Sequence, residues 1–164
     1  VSGEDLPRSA RRVAEALAAR GHEGRVVVLE QTARSAEEAA EALGVTPRQI
    51  VKSLVFRGTE SDGVVLALLA GDHRVDPELL AAAANEPVER PEAAWVRERT
   101  GFAIGGVPPL GHPSQPLVLI DPALAEAGTV WAAAGTPHSV FDVAGEQLAE
   151  LTGGTVARLA DNTT

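Results

Sequence analysis

Ala10, Val13, Ala14 and Leu17 recur at i, i+3, i+4 and i+7, the spacing that lines one face of a helix with apolar side chains, and Gly21 follows as a stop. The run Val26-Val27-Val28-Leu29 is too short for a helix and rich in β-branched residues, so residues 25–30 read as a strand. Ser35 and Glu38 form a capping box ahead of Ala36, Ala39, Ala40 and Leu43, with Gly44 closing a short second helix. Two apolar runs, residues 50–57 and 64–70, are separated by the turn formers Gly58-Thr59-Glu60-Ser61-Asp62-Gly63 and are expected to pair as an antiparallel hairpin. Asp76 as N-cap and Pro77 at the first helical position open a third helix through Leu79, Leu80 and Ala83, and Pro91 is expected to open another through Trp95.

From Gly101 the pattern changes. The stretch Gly105-Gly106-Val107-Pro108-Pro109-Leu110-Gly111 cannot be regular helix or central strand, because proline lacks a donor and glycine favours unusual dihedrals. Residues 117–120 and 129–134 read as strands around an Asp121-Pro122 turn, followed by a strand over 139–143, a helix over 145–151 and a terminal strand over 155–159. Strands and helices mix without a regular βαβ repeat, which predicts one α/β (α+β) domain over residues 8–160, with a mixed, mainly antiparallel sheet and surrounding helices.

Composition narrows the chemistry. Hydrophobic residues make up 45% of the 164 but aromatics only 3%, so the core must be built from Ala, Val and Leu. With no Cys there is no disulfide, thiol nucleophile or thiolate metal site. No apolar run approaches the ~20 residues of a membrane span and no signal peptide is evident, so a soluble cytoplasmic protein with no membrane partner is expected. The formal charge of −9 argues against a general nucleic-acid binder. Arg8, Arg11 and Arg12 are the one concentrated basic cluster, better explained as a solvated helix face than as an RNA contact.

Lys52 is the most informative residue. Alternation puts Ile50, Lys52, Leu54 and Phe56 on one face of the strand and Val51, Ser53 and Val55 on the other, both largely apolar. Such a cation either meets an anion, a carbonyl or a ligand, or lays its stem on the sheet and reaches water at the edge; spacing alone leaves both open. Gly106 and Gly111 have the glycine spacing of a phosphate loop, but His112 stands where Lys is required. Gly135-Thr136-Pro137-His138 offers a hydroxyl and an imidazole at a strand mouth. His22, His73 and His112 are scattered without metal-ligand spacing, so neither metal nor cofactor is expected. There is no G-x-S-x-G, and Ser53, Ser114 and Ser139 lack the surroundings of an activated nucleophile. Hydrolysis here would rely on a positioned water and preorganised hydrogen bonds.

An ordered set of segments resembles the YbaK/EbsC family, itself similar to the editing insertion domain of bacterial prolyl-tRNA synthetases. The set comprises Thr32-Ala33-Arg34-Ser35-Ala36-Glu37-Glu38-Ala39-Ala40 leading into Leu43-Gly44-Val45, Gln49-Ile50-Val51-Lys52-Ser53-Leu54-Val55-Phe56, Ala70-Gly71-Asp72-His73-Arg74-Val75-Asp76, Thr100-Gly101-Phe102, Gly105-Gly106-Val107-Pro108-Pro109, Val118-Leu119-Ile120-Asp121, Ala134-Gly135-Thr136-Pro137-His138 and Leu151-Thr152-Gly153. The resemblance implies a metal-independent trans-editing hydrolase that deacylates mischarged tRNA, Cys- or Ala-tRNAPro first among the choices. It implies no metal in the site and the acceptor end of aminoacyl-tRNA as partner, with prolyl-tRNA synthetase as a candidate second. By it, Lys52 faces the terminal adenosine and phosphate end, Gly105, Gly106 and Pro108 shape the aminoacyl pocket, and Gly135 and His138 form a second substrate loop. Lys52, His138 and Gly105 are then the catalytic set, with Ser53, Gly106, Val107, Pro108, Gly135 and Thr136 joining Lys52 in substrate binding. The resemblance further implies that a ribose hydroxyl of the tRNA helps to activate the water. Two other readings stay open: a catalytically silent module binding tRNA or a synthetase, and a hydrolase of small aminoacyl esters. The acidic charge departs from that of an independent tRNA binder and points to a grip on the acceptor end.

Overall fold

A computed structural model describes residues 6–22, 25–30 and 35–160. In chain order the elements are α1 (Arg8–Ala19), β1 (Val27–Val28), α2 (Ala36–Leu43), β2 (Val51–Gly58), β3 (Val64–Ala70), α3 (Pro77–Ala84), β4 (Val88–Glu89) and α4 (Ala93–Thr100), then β5 (Leu117–Ile120), α5 (Ala123–Glu126), β6 (Thr129–Ala133), β7 (Ser139–Ala144), α6 (Leu148–Thr152) and β8 (Thr155–Val156). The 50–57 and 64–70 runs do pair antiparallel, from Val51 opposite Ala70 to Arg57 opposite Val64. They form the middle of a five-stranded sheet ordered β4-β2-β3-β5-β8, in which β3–β5 and β5–β8 are parallel. A three-stranded antiparallel sheet, β1-β7-β6, faces it.

β3 explains why its sequence is apolar throughout. Leu66, Leu68 and Ala70 join the main core with Val130, Ala132 and Phe141 of the second sheet and Ala10, Val13 and Leu17 of α1. Val65, Ala67 and Leu69 point to the opposite face, against Leu80 and Ala84 of α3 and Leu159. A strand covered on both sides shows no alternation. A third, smaller cluster holds α2: Ala39 and Ala40 pack on Ile50, with Trp131 against them.

Four expectations need correction. Residues 117–120 and 129–134 do not flank a simple turn: β5 enters one sheet, β6 the other, and α5 lies between them. The cause is Asp121, whose buried carboxylate accepts hydrogen bonds from Ala123 N (3.2 Å), Leu159 N (2.8 Å) and Ala160 N (3.1 Å). The fourth helix begins at Ala93, after Pro91. The terminal strand is only Thr155–Val156, since the chain beyond it leaves β5 and Ala160 bridges Val75 instead. The first strand shortens to Val27–Val28, the residues that find partners on β7. Residues 32–34 of the family-like segment lie outside the described residues.

Candidate functional site

A cleft of about 310 Å³ opens where β2 begins, walled by α2 (Ser35, Ala36, Ala39), by Ile104, Gly105 and Val107, and by the end of β6 with Thr136 and Pro137 of the following turn. Lys52 and Ser53 lie on its wall. Gly71 lets these elements meet: a Cβ there would stand 2.3 Å from the Pro47 carbonyl and 2.8 Å from Ala36 Cβ.

Lys52 Nζ donates to the His73 carbonyl oxygen, a carbonyl being one of the partners that the sequence left open. Burial pushes its ammonium below the ordinary lysine value; Glu37 counters this, Arg74 adds to it and Asp72 counters it. Asp72 is itself held by Arg48 (Nε–Oδ2 3.3 Å) and lies 3.7 Å from His73 Nε2. Two buried polar atoms near this wall, Ser53 Oγ and His73 Nδ1, have no hydrogen-bond partner among the described residues.

The two Gly/Pro loops, about thirty residues apart in sequence, touch through backbone. Gly135 N donates to Gly106 O (2.9 Å), and a Cβ on Gly106 would come within 2.7 Å of Thr136 Cα. Gly135 has φ +99° and its Cβ would stand 2.6 Å from Ser9 O of α1, so side chains are barred on two counts. Thr136 Oγ1 and Ser139 Oγ, 2.6 Å apart, close the turn. Gly105 (φ +95°) and the buried Val107 reach the cleft; Gly106, Pro108 and Gly135 form the scaffold behind it. His138 sits on the turn, its carbonyl accepting from Leu29 N (2.7 Å), but it is not among the residues lining the cleft.

Thus Lys52, Ser53, Gly105, Val107 and Thr136 share one cavity, whereas Gly106, Pro108, Gly135 and His138 adjoin it. Sequence reasoning missed Trp131, Ile104 and the small residues of α2. For α2 the signal was present in the Ser35 cap, whose Oγ accepts from Glu38 N at 3.1 Å, but nothing local told where the helix would dock. Among the described residues no group of three or more His, Asp or Glu could hold a metal ion. What remains is an apolar-walled cleft with the Lys52 amine on a rigid strand and Ser35, Thr136 and Ser139 also on its wall, suited to a ligand with an anionic end and a small apolar body.

A family model, the aminoacyl-tRNA editing domain, matches residues 30–151. YwhH of Bacillus subtilis is 35% identical over 128 residues, covering 78% of this chain and 81% of that protein. EbsC of Enterococcus faecalis, described as a candidate Cys-tRNA(Pro)/Cys-tRNA(Cys) deacylase, is 32% identical over 127 residues, 76% of each chain. A crystal structure described as a candidate trans-editing enzyme for prolyl tRNA synthetase superposes with a TM-score of 0.90 and 43% identity, covering 96% of this chain and 100% of the other.

Proposed function

From the premise that this chain belongs to the aminoacyl-tRNA editing domain family, we propose that it is a trans-editing deacylase that hydrolyses the ester of mischarged tRNAPro, carrying Cys or Ala, with a positioned water. The observation that carries this reading is the convergence of Lys52 and of both Gly/Pro loops on one cleft of about 310 Å³. That size suits the aminoacylated terminal nucleoside and little more.

In this reading Lys52 meets the phosphate end of the terminal adenosine and orients the ester. Its bond to the His73 carbonyl fixes the direction of the amine before substrate arrives. The rigid Gly105–Val107 segment and Thr136 hold the acyl group, with backbone dipoles facing the carbonyl where negative charge develops. His138, on the same turn as Thr136, acts from the rim. With no protein nucleophile, the attacking water is oriented by the substrate's own ribose hydroxyl. Editing has a clear physical purpose: a synthetase pocket separates side chains differing by a methylene only ~10- to 200-fold, so a second, smaller sieve is needed.

The test is deacylation of tRNAPro charged with Pro, Ala, Cys or Ser, by the intact protein and by Lys52→Ala. Selective loss of one or more mischarged esters, slowed about 10²-fold or more in the variant, is expected. Inertness across the panel with binding retained would replace this reading with that of a silent tRNA-binding module.

A further inference from the structure

The two walls of the cleft differ in charge. One is α2, which carries no base and exposes Glu37, Glu38 and Glu41. The other, made by Ile104, Gly105 and Val107 with Thr136 and Pro137, continues into Gly101 and Gly135, and both of these rest on the first turns of α1. A Cβ on Gly135 would stand 2.6 Å from the Ser9 carbonyl oxygen, and Arg12 Nη1 lies 3.3 Å from where a Gly101 Cβ would be. α1 opens Arg8-Ser9-Ala10-Arg11-Arg12, three arginines in five residues, with no acid in its first turn. Cations at that end of a helix oppose its dipole, so they do not serve the helix itself.

The three arginines divide by what they touch. Arg11 turns back to the Leu6 carbonyl oxygen (3.2 Å) and ties down the chain's own start. Arg12 is held over the Phe102 ring, its Cζ 4.9 Å from the centroid, yet the residue stays exposed. Arg8 is exposed one turn earlier, at i−4, so the two are neighbours on one helix face. A guanidinium already fixed on a ring gives up less freedom on binding, and its planar fork suits the two free oxygens of a phosphodiester. In a chain of charge −9 a polyanion is repelled along α2 and admitted along α1. We propose that Arg8 and Arg12 form a docking surface for the phosphodiester backbone of the tRNA acceptor-stem duplex, which lies across the first turns of α1 while the single-stranded end enters the cleft. This rests on the deacylase reading and adds to it the side from which the RNA arrives.

The experiment measures binding of two unacylated probes across a salt series: a hairpin of the tRNAPro acceptor stem ending in CCA, and the trinucleotide CCA alone. The intact protein is compared with Arg8→Gln, Arg12→Gln and the double variant. Each single change should weaken hairpin binding ~10-fold at low salt and cut the slope of log K against log salt by about 1, the double variant by about 2. The affinity of the trinucleotide should not change. Arg12→Lys, which keeps the charge, should keep the slope. Arg8→Gln leaves the Phe102 contact intact, so its result stands even if Arg12→Gln unfolds. Unchanged hairpin affinity and slope overturn the proposal, as does an equal loss on both probes, which would trace to the cleft or the fold. A hairpin that binds the intact protein no more tightly than the trinucleotide overturns it too. Hydrolysis of the charged tRNAs judges the deacylase reading separately. Inert protein with arginine-dependent hairpin binding sinks that reading and keeps this one; hydrolysis with a KM unmoved in the double variant does the reverse.

Discussion

Asp121 shows how much one side chain can decide. Its carboxylate is fully buried, yet three backbone N–H groups from two distant stretches, Ala123 and the Leu159-Ala160 pair, satisfy it. It both starts α5 and ties the end of the chain to β5. Removing it strands three donors in the interior, so Asp121→Ala should lose about 3 kcal/mol or more. Urea unfolding would measure this, and a change under about 0.5 kcal/mol would refute the assignment. Asp121→Asn, which keeps one carbonyl acceptor, should lose less. In the sequence the same residue, followed by Pro122, reads as an ordinary turn, because its partners at 159 and 160 are invisible locally.

The segment between α4 and β5 is held from both sides. On one side its Gly106 lies on Thr136. On the other, the His112 imidazole Nε2 lies 2.7 Å from the Pro108 carbonyl oxygen, with the ring tilted against Phe102 at 5.6 Å. Arg12 of α1 caps the same Phe102 at 4.9 Å. Burial pushes His112 below its ordinary value of 6.5; the Pro108 hydrogen bond opposes this and Arg12 adds to it. The folded state therefore binds fewer protons than the unfolded one between the two values. Its stabilising contribution is complete above 6.5 and is lost as pH falls toward the lowered folded value. His112→Gln should flatten the decline of stability below pH 6.5 seen in the intact protein, as read by urea midpoints across pH; parallel curves would contradict it. Composition disclosed that residues 105–111 were irregular and the hairpin of β2 and β3 was legible from its turn formers. What joined the loop to α1 was not: Arg12 read as part of a solvated face, and only the packing of two sheets brings it to Phe102. The same holds for the contact between the Gly106 and Gly135 loops, which requires β6 and β5 to part into different sheets.

At the scale of the whole molecule, the charge of −9 opposes the approach of a polyanion, so any grip on the tRNA end must be local. Lys52 stands out in that setting as the one lysine among fourteen basic residues, the others being arginine. An arginine would stay charged whatever its surroundings, whereas a lysine's charge responds to burial and to an arriving anion. That makes its titration an unobstructed reporter, because reductive ¹³C-methylation leaves one labelled lysine besides the α-amine. In the folded protein its resonance should titrate below the midpoint found after denaturation, since desolvation is the dominant influence on it. Adenosine 5′-monophosphate should move the midpoint upward, because a phosphate beside the ammonium favours the charged form. A folded midpoint equal to the denatured one would mean the amine is as solvated as a surface lysine. A midpoint that is depressed but indifferent to the nucleotide would leave the buried amine intact as a structural tie to His73 and remove it from the phosphate end of the substrate.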